Sequence, residues 1–418
     1  MRARSTFPIL IAAATTASAA CKDCDDAPKA KDASSSIAIV DAALDVEAPI
    51  VKEAGAPQEA GASSSAPFDE DAGPSACKLT YGPSELLFRG PAAMIVDNAK
   101  NELRLVANDN GKPRTFTVAL DAKTTPPPPP AFIPMRWPPC EVAGKFVYCQ
   151  GHGGAITRTA IGTNETKTVV SKSRPTRIVA AALGANGEHS VVAFLDTKQT
   201  SEGAMIQAFL SFDEDAAPIR LSEDGAGATT MRIAQRGESA VAVYLDTRTA
   251  MVPVHARPIS LKNGGKDVAL GDDVVAFVGG APERGVDLAI GGASNKLFVL
   301  LPLPKETTEF GMASIPIHDP PKDDVGATWS LYPNGIDPAP VGASLDGWVA
   351  RVRPREKMPG ARKVLELGRI DDKGAFTSLG VIADKPITDI AIASDARKGV
   401  WILYGDSTAT FLERRVCP

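Results

Sequence analysis

A seven-residue motif that occurs twice, 50 residues apart, constrains the fold of this 418-residue chain more than any other feature. The first copy is Val192–Lys198 and the second is Ala242–Arg248. Each copy joins a run of apolar residues to Asp-Thr and a basic residue, and each follows a shorter apolar strand and a turn. A period of this size indicates a chain that is built from repeated β units.

The same two-strand unit can be followed along the chain from residue 93 onward. Seven copies start near residues 93, 140, 177, 231, 286, 340 and 388. In the third and fourth units, two further strands lie between successive copies: Met205–Leu210 with Pro218–Leu221, and Val252–Ser260 with Val268–Leu270. Four strands per repeat at this spacing are typical of a β-propeller. The sequence therefore predicts an all-β domain over residues 77–418, a propeller of seven four-stranded blades.

The seventh unit supplies only three strands, of which the last is Thr408–Val416. A propeller has to close into a ring, so we expect the missing strand to come from the N-terminal end of the domain. Leu79–Tyr81 and Leu86–Phe88 are the two candidates. Either closure brings Cys77 and Cys417 close together and predicts a disulfide between them.

Residues 1–20 have the features of a secretory signal peptide. Arg2 and Arg4 precede a short apolar stretch, which is shorter than the about 20 apolar residues that span a bilayer. The segment Ser18–Cys21 resembles the lipobox of bacterial lipoproteins, and this resemblance implies a lipid anchor on Cys21. Ala17–Ala19 suits an ordinary signal peptidase equally well and would give a secreted protein. We expect an exported chain in both cases, and a lipoprotein of the outer membrane or periplasm in the first.

Residues 21–76 are predicted to be a disordered acidic tether. The 55 residues after Cys21 contain 14 Ala, 7 Ser and 5 Pro, and their 12 acidic residues against 4 Lys give a net charge of −8. Such a segment cannot bury enough apolar surface to offset the entropy lost on ordering. At about 5–6 Å times the square root of its length, it would reach roughly 40 Å.

The domain contains a second pair of cysteines, Cys140 and Cys149, on either side of a hairpin turn. They are placed to form a disulfide across two antiparallel strands. An oxidising compartment favours disulfides at both cysteine pairs. The alternative is four separate buried thiols. More broadly, the domain is similar to bacterial exported propellers whose second strand ends in an aromatic residue or Leu, then Asp, then a basic residue, and this resemblance implies the fold alone.

Charge and composition argue against several kinds of function. Residues 77–418 carry a net charge of about +1 and contain no basic run with interleaved aromatic residues, so we predict no nucleic-acid partner. The four histidines have no partner at zinc-ligand spacing, and the acidic pairs do not follow a calcium-loop pattern. No dinucleotide or phosphate-binding loop is present. We therefore predict no metal and no cofactor.

The repeated Asp-Thr-Lys/Arg segment gives the strongest binding hypothesis. Both copies are predicted to end the second strand of a blade, where loops gather on one face of a propeller. Charged residues of later blades should lie near the same rim. The predicted binding rim consists of Asp196, Lys198, Asp246, Arg248, Arg351, Arg353 and Asp406. The alternative is a structural role, because Asp and Thr end strands by hydrogen-bonding to nearby backbone.

These features favour a membrane-tethered binding or scaffold module that holds a protein or a glycan of the cell envelope. The membrane contact is predicted to be the lipid anchor alone. An alternative is an extracytoplasmic hydrolase or lyase that acts on glycans at the propeller pore, since carboxylates from unrelated loops can meet there. A third possibility is a structural envelope protein without a ligand. The fold by itself does not distinguish these functions.

Overall fold

We analysed a computed structural model of the chain. It describes residues 76–86, 92–122, 140–163, 165–171, 177–200, 203–212, 217–223, 227–248, 253–278, 288–294, 296–305, 309–317, 328–333, 340–355, 362–406 and 409–417. The predicted signal peptide, the lipid anchor at Cys21 and almost all of the tether lie outside these ranges. None of the helices found in the described ranges has the length and apolar character needed to cross a membrane.

The described residues form seven antiparallel sheets, in addition to two 3-10 turns at His152–Gly154 and Asn263–Gly265. The strands of the N-terminal end and the first three blades are β1 (Lys78–Leu86); β2 (Ala93–Asp97), β3 (Glu102–Asp109) and β4 (Lys112–Ala119) in blade 1; β5 (Glu141–Ala143), β6 (Phe146–Gln150), β7 (Ile156–Ala160) and β8 (Thr166–Val170) in blade 2; and β9 (Arg177–Leu183), β10 (His189–Thr200), β11 (Gly203–Phe212) and β12 (Ile219–Arg220) in blade 3.

The remaining four blades follow the same order. Their strands are β13 (Ala228–Arg236), β14 (Ser239–Asp246), β15 (Pro253–Lys262), β16 (Asp267–Leu270) and β17 (Val274–Val278) in blade 4; β18 (Ala289–Ala293), β19 (Lys296–Lys305), β20 (Glu309–Ile317) and β21 (Thr328–Pro333) in blade 5; β22 (Val341–Ala343), β23 (Trp348–Pro354), β24 (Lys363–Ile370) and β25 (Phe376–Ala383) in blade 6; and β26 (Asp389–Ser394), β27 (Gly399–Gly405) and β28 (Thr410–Val416) in blade 7.

The sheets are arranged as a closed ring. The first strand of each blade contacts the first strand of the next, and β26 of blade 7 contacts β2 of blade 1. The prediction of a seven-bladed propeller is confirmed, and all seven predicted starts lie within three residues of the start of a first strand. Within the described residues, blade 1 shows three strands, because the chain after Ala122 is described again only from Cys140.

The ring closes between the two ends of the domain, as predicted. Strand β1 pairs antiparallel with β28, so that blade 7 has the order β1-β28-β27-β26. The strand includes the first candidate segment, Leu79–Tyr81, and extends to Leu86 opposite Thr410. A disulfide joins Cys77 and Cys417 next to the start of β1, and a second joins Cys140 and Cys149 in blade 2.

Blades bury apolar side chains on both of their faces, which explains the long apolar runs in the second strands. In β10, Val191, Ala193 and Leu195 pack toward blade 4. The alternating residues Val192 and Phe194 pack toward blade 2. Because side chains of a strand point alternately to opposite faces, a strand that is covered on both sides needs apolar residues at nearly every position.

The outer strand of blade 4 is interrupted by a bulge. Strands β16 and β17 pair with successive halves of the same strand, β15, and residues 271–273 lie between them. Pro258 stands opposite this interruption and cannot donate a ladder hydrogen bond, although its carbonyl accepts one from Gly271 at 2.9 Å. A side chain at Gly271 would contact the Pro258 ring. The bulge therefore follows from the proline.

Alternate turns lie on opposite faces of the ring. We call the face with the turns between first and second strands, at residues 98–101, 144–145, 184–188, 237–238, 294, 344–347 and 395–398, the first-turn face. Neighbouring turns on it bind each other: Ala396 donates to Asn98 at 2.9 Å, and Gly184 donates to Glu238 at 2.9 Å. The opposite face, which carries the turns between second and third strands, is the second-turn face.

Candidate functional site

Asp246 of the predicted rim ends β14 and organises the turn that follows. Its Oδ1 accepts hydrogen bonds from the backbone N–H groups of Gly227 and Arg248, at 3.0 and 3.1 Å. The Arg248 guanidinium binds the same carboxylate through Nε and one terminal nitrogen, at 2.8 and 2.6 Å. Burial would raise the pKa of Asp246, but the Arg248 guanidinium and these N–H groups hold it below its usual value. The carboxylate thus has a structural role in the turn.

Asp196, the corresponding residue in blade 3, lies in a different local structure. Strand β10 continues to Thr200, so the prediction that the Asp-Thr-Lys segment ends the strand is wrong for this blade. Asp196 is 4% exposed and pairs in register with Gln207, because β11 is long enough to keep both strands in the ladder. Lys198 binds the Asp196 carboxylate at 3.1 Å and keeps a side-chain exposure of 48%.

The turn role recurs in other blades at the end of the second strand. In blade 7, Oδ1 of Asp406 accepts the N–H of Ala409 at 2.8 Å. In blade 1, Oδ1 of Asn108 accepts the N–H of Gly111 at 2.9 Å, and its amide donates to the carbonyl of Gln150 in blade 2. The structural alternative therefore has direct support at two rim positions, Asp246 and Asp406, and Asn108 has a similar role in blade 1.

Arg351 and Arg353 lie inside blade 6. Arg351 donates through Nε to Glu366 at 2.8 Å, and Arg353 forms an ion pair with the other carboxylate oxygen at 3.1 Å. Ser378 donates to Glu366 at 2.7 Å, and Phe376 lies under the Arg351 guanidinium. Burial lowers the pKa of Arg351 to about 10, and the two arginines hold the pKa of Glu366 below its usual value against the opposing effect of burial. Lys198 and Arg248 are therefore the most exposed basic side chains of the predicted rim.

The bulge in blade 4 turns a carboxylate toward the sheet, a feature that the sequence reasoning missed. Asp273 accepts a hydrogen bond from the Tyr244 hydroxyl and lies 3.1 Å from Nδ1 of His255. The Tyr244 and His255 rings are stacked at 4.8 Å. Burial and the neighbouring Asp273 carboxylate both raise the pKa of Tyr244. Pro258 was the available sequence signal, since a proline inside a strand marks a bulge or an edge.

A carboxyl group with an unusual pKa lies at the start of β5, in the ring of first strands around the pore. Burial raises the pKa of Glu141 to about 7, while Arg232 of blade 4 partly opposes the shift. Glu141 faces the side of its blade that Tyr148 and Ala143 bury against blade 3. A carboxyl group with this pKa exchanges its proton near neutral pH.

A polar cleft opens on the first-turn face between blades 5 and 6. It has a volume of about 390 Å³, within the range of small-molecule sites. Blade 5 contributes the end of β18 and its turn, and blade 6 contributes two turns and the strands beside them. The lining residues are Ala293, Ser294, Asp346, Arg369, Ile370, Asp371, Asp372 and Thr377.

The turns that line this cleft are fixed by backbone hydrogen bonds. Gly292 of blade 5 donates to the carbonyl of Ser344 at 3.1 Å, and a side chain at position 292 would collide with the Leu345 backbone. Oδ1 of Asp371 accepts the N–H groups of Lys373 and Ala375, at 2.9 and 2.8 Å. The cleft is therefore preformed rather than assembled by a ligand.

Arg369 provides the positive charge of the cleft. Its guanidinium lies over the Trp348 ring, 4.7 Å from the centroid, and donates to the carbonyl of Asp346 at 3.3 Å. The sequence reasoning did not identify this residue, because the cleft combines turns that lie more than 50 residues apart in sequence. In the described ranges, no three His, Cys, Asp or Glu side chains are grouped so that they could hold a metal ion.

Comparisons with known proteins show likeness at the level of the fold. No protein-family model matches the chain, and no curated protein matches it. The β-propeller domain of Cps50 (Swd1) from Myceliophteria thermophila has 7% identity and a TM-score of 0.46, over 77% of this chain and 95% of that one. YCF48 bound to a D1 peptide has 12% identity and a TM-score of 0.43, over 82% and 98%.

A third solved structure is the six-bladed lectin of Aleuria aurantia, which recognises fucose. It has 13% identity and a TM-score of 0.37, over 66% of this chain and 94% of that one. Identities this low extend no function from any of these proteins to this chain. What the chain itself establishes is a seven-bladed propeller that is closed by its N-terminal strand.

Proposed function

We propose that this protein is an exported, membrane-tethered binding module whose propeller holds a protein or a glycan of the cell envelope on its first-turn face. A propeller is a generic binding or scaffold fold, so the specific function depends on its sites. The observation that carries the proposal is the preformed polar cleft between blades 5 and 6. Leu345, a large apolar side chain with 52% exposure, lies in the same turn as Asp346 of the cleft.

The proposed location depends on the N-terminal sequence and on the cysteines. The segment Ser18–Cys21 suits lipid attachment, and the acidic tether supplies distance from a membrane. The two disulfides are consistent with an oxidising compartment. Growth of a bacterial expression host with radiolabelled palmitate tests the anchor. We expect label on the wild type and none on Cys21→Ala, whereas an unlabelled wild type would make the protein a secreted one.

Site-specific photo-cross-linking tests the binding face. The photoreactive residue p-benzoylphenylalanine replaces Leu345 on the first-turn face or, as a matched control, Lys198 on the opposite face, which has similar exposure. After irradiation of intact cells, we expect a cross-linked adduct from position 345 only. An adduct from position 198 alone would move the binding site to the predicted rim, and no adduct from either would overturn the proposal.

One observation favours a second candidate, an extracytoplasmic hydrolase or lyase that acts on glycans. Glu141 lies half-buried on β5, one of the innermost strands around the pore, and burial raises its pKa to about 7, so that it can donate or accept a proton near neutral pH. The protein is incubated with isolated envelope polysaccharide, and new reducing ends are measured. Release that is lost in Glu141→Gln would establish this candidate, and the absence of release from the wild type would leave the binding module alone.

A further inference from the structure

Within the proposed binding function, we infer that the cleft between blades 5 and 6 takes a neutral sugar unit of a glycan. The inference rests on the proposed function and on the chemical composition of the cleft, whose lining combines three carboxylates, one guanidinium, two hydroxyls and two apolar side chains. Each of these groups restricts the ligand in a different way.

The guanidinium of Arg369 is held in place but keeps donors for a ligand. It lies over the Trp348 ring, 4.7 Å from the centroid, and its only hydrogen bond to the described residues goes to the carbonyl of Asp346. An arginine fork that is pre-organised in this way loses little entropy when it binds two neighbouring oxygen atoms. Arg369 forms no ion pair with the described residues, so its remaining N–H groups are available to a ligand.

The carboxylates supply acceptors at fixed positions. Oδ1 of Asp346 accepts from Ser344, and Oδ1 of Asp371 accepts two backbone N–H groups of its own turn. The second oxygen of each carboxylate makes no hydrogen bond to the described residues. Two acceptors and a donor fork therefore surround one small volume.

The charges of the lining argue against an anionic ligand, because three carboxylates outnumber the one guanidinium. A lysine ammonium would pair with the carboxylates, but it has no acceptor for the N–H groups of Arg369. A neutral ligand with neighbouring hydroxyl groups suits both the carboxylates and the guanidinium, because each hydroxyl donates to a carboxylate and accepts from the guanidinium. The lining also includes Ala293 and Ile370, whose largely buried side chains leave a small apolar area for the C–H groups of a sugar ring. Among ligands of the cell envelope, this chemistry fits a neutral hexose or N-acetylhexosamine.

The experiment compares two arginines at opposite ends of β24. Arg369→Lys keeps the charge in the cleft but removes the fork. Arg362→Lys makes the same change at the other end of β24, where the arginine is also exposed and donates to an aspartate carbonyl, that of Asp384. Both variants of the full chain are applied to an array of oligosaccharides that end in neutral hexoses, N-acetylhexosamines or uronic acids, with lysine-rich peptides on the same surface.

We expect the wild type and Arg362→Lys to bind neutral termini, and Arg369→Lys to bind about tenfold more weakly, since a bidentate contact is lost. Thr377→Val, which removes one hydroxyl at nearly constant volume, should also weaken binding, and thermal melting confirms that each variant is folded. Binding to uronic acids or to lysine-rich peptides alone, or equal binding by both arginine variants, would overturn the inference. If no glycan binds while Leu345 still cross-links to a protein, the sugar assignment fails and the proposed binding function stands.

Discussion

Arg414 binds the carboxylate of Asp395 through two nitrogen atoms. Its Nε donates to Oδ2 at 2.7 Å, and a terminal nitrogen donates to Oδ1 at 3.2 Å. This ion pair joins the last strand of the ring to the first turn of the same blade. The Trp401 ring nitrogen donates to the same carboxylate at 3.0 Å, and the third Arg414 nitrogen donates to the Thr80 hydroxyl on β1 at 3.1 Å. One aspartate thus connects all four strands of the closing blade.

Removal of this carboxylate should destabilise the propeller strongly. Asp395→Ala leaves the Arg414 charge buried without its partner, which typically costs about 3–5 kcal/mol. Denaturant unfolding, followed by tryptophan fluorescence, measures the loss. Glu165→Ala is the control, because among the described residues Glu165 forms a single exposed ion pair, with Lys167 at 3.9 Å, and no measurable change is expected there. Equal stability of the two variants would contradict the role that we assign to Asp395.

The same ion pair gives a pH dependence. Burial would raise the pKa of Asp395, but Arg414 and the N–H of Gly399 lower it below the ordinary value of 3.8. Because the pKa is lower in the folded state, the stabilisation is present above pH 3.8 and is lost as the pH falls through the folded pKa. We expect the stability difference between the wild type and Asp395→Asn to shrink in that acidic range.

The disulfide that closes the ring should contribute more stability than the one in blade 2. Cys77 and Cys417 are 340 residues apart, whereas Cys140 and Cys149 are 9 apart. Chain entropy assigns about 5 kcal/mol or somewhat more to the long loop and about 2–3 kcal/mol to the short one. The double variants Cys77→Ser/Cys417→Ser and Cys140→Ser/Cys149→Ser are compared by thermal unfolding. A larger loss in the second variant would show that loop length is not the determining factor.

Glu141 should make the protein less stable as the pH rises toward neutrality. Its pKa is raised from 4.5 to about 7 in the folded protein, so the folded state holds a proton that the unfolded state has released. Stability therefore falls between these two values and levels off above about 7. We expect Glu141→Gln to gain melting temperature relative to the wild type across this window. A constant difference at every pH would mean that Glu141 titrates normally.

Substitutions at two residues of the predicted rim test whether Asp246 stabilises its turn. Asp246→Ala removes the acceptor for two backbone N–H groups and the partner of Arg248, so we expect a loss of about 1–3 kcal/mol. Lys198→Ala removes an exposed partner of the Asp196 carboxylate, and we expect a smaller loss than for Asp246→Ala because no backbone N–H group loses its acceptor. Urea unfolding of both variants gives the comparison, and a stable Asp246→Ala would argue against the turn role.

The fold could be predicted because it depends on features that repeat along the sequence. The two copies that contain Leu195 and Leu245 revealed the period, and a ring with a missing strand required a partner from the other end of the domain. The extent of each strand was less predictable. Asp196 and Asp246 have the same neighbours in sequence, but the partner strand β11 is long enough to keep Asp196 inside the ladder, whereas β14 ends at Asp246.

The sites depend on contacts between distant segments, which no local pattern reports. Arg369 and Ser294 line one cleft only because blades 5 and 6 are neighbours in the ring. Arg351 and Arg353 were expected near the binding rim, and the sequence did not show that Glu366 on the adjacent strand would pair with them inside the blade. Arg351 meets Glu366 because the two residues are paired in register across β23 and β24. The sequence alone does not determine this register.

The covalent link between Cys77 and Cys417 also determines how the domain would respond to mechanical force. The chain enters the propeller at Cys77, directly before the pairs Lys78–Val416 and Leu79–Arg415. Without the disulfide, a pull on the preceding segment would peel β1 from β28 one residue pair at a time. With the disulfide, the force is transmitted to the C-terminal end of β28, so that β1 and β28 have to separate from the blade together. A domain held at this end could therefore carry tension without opening its ring.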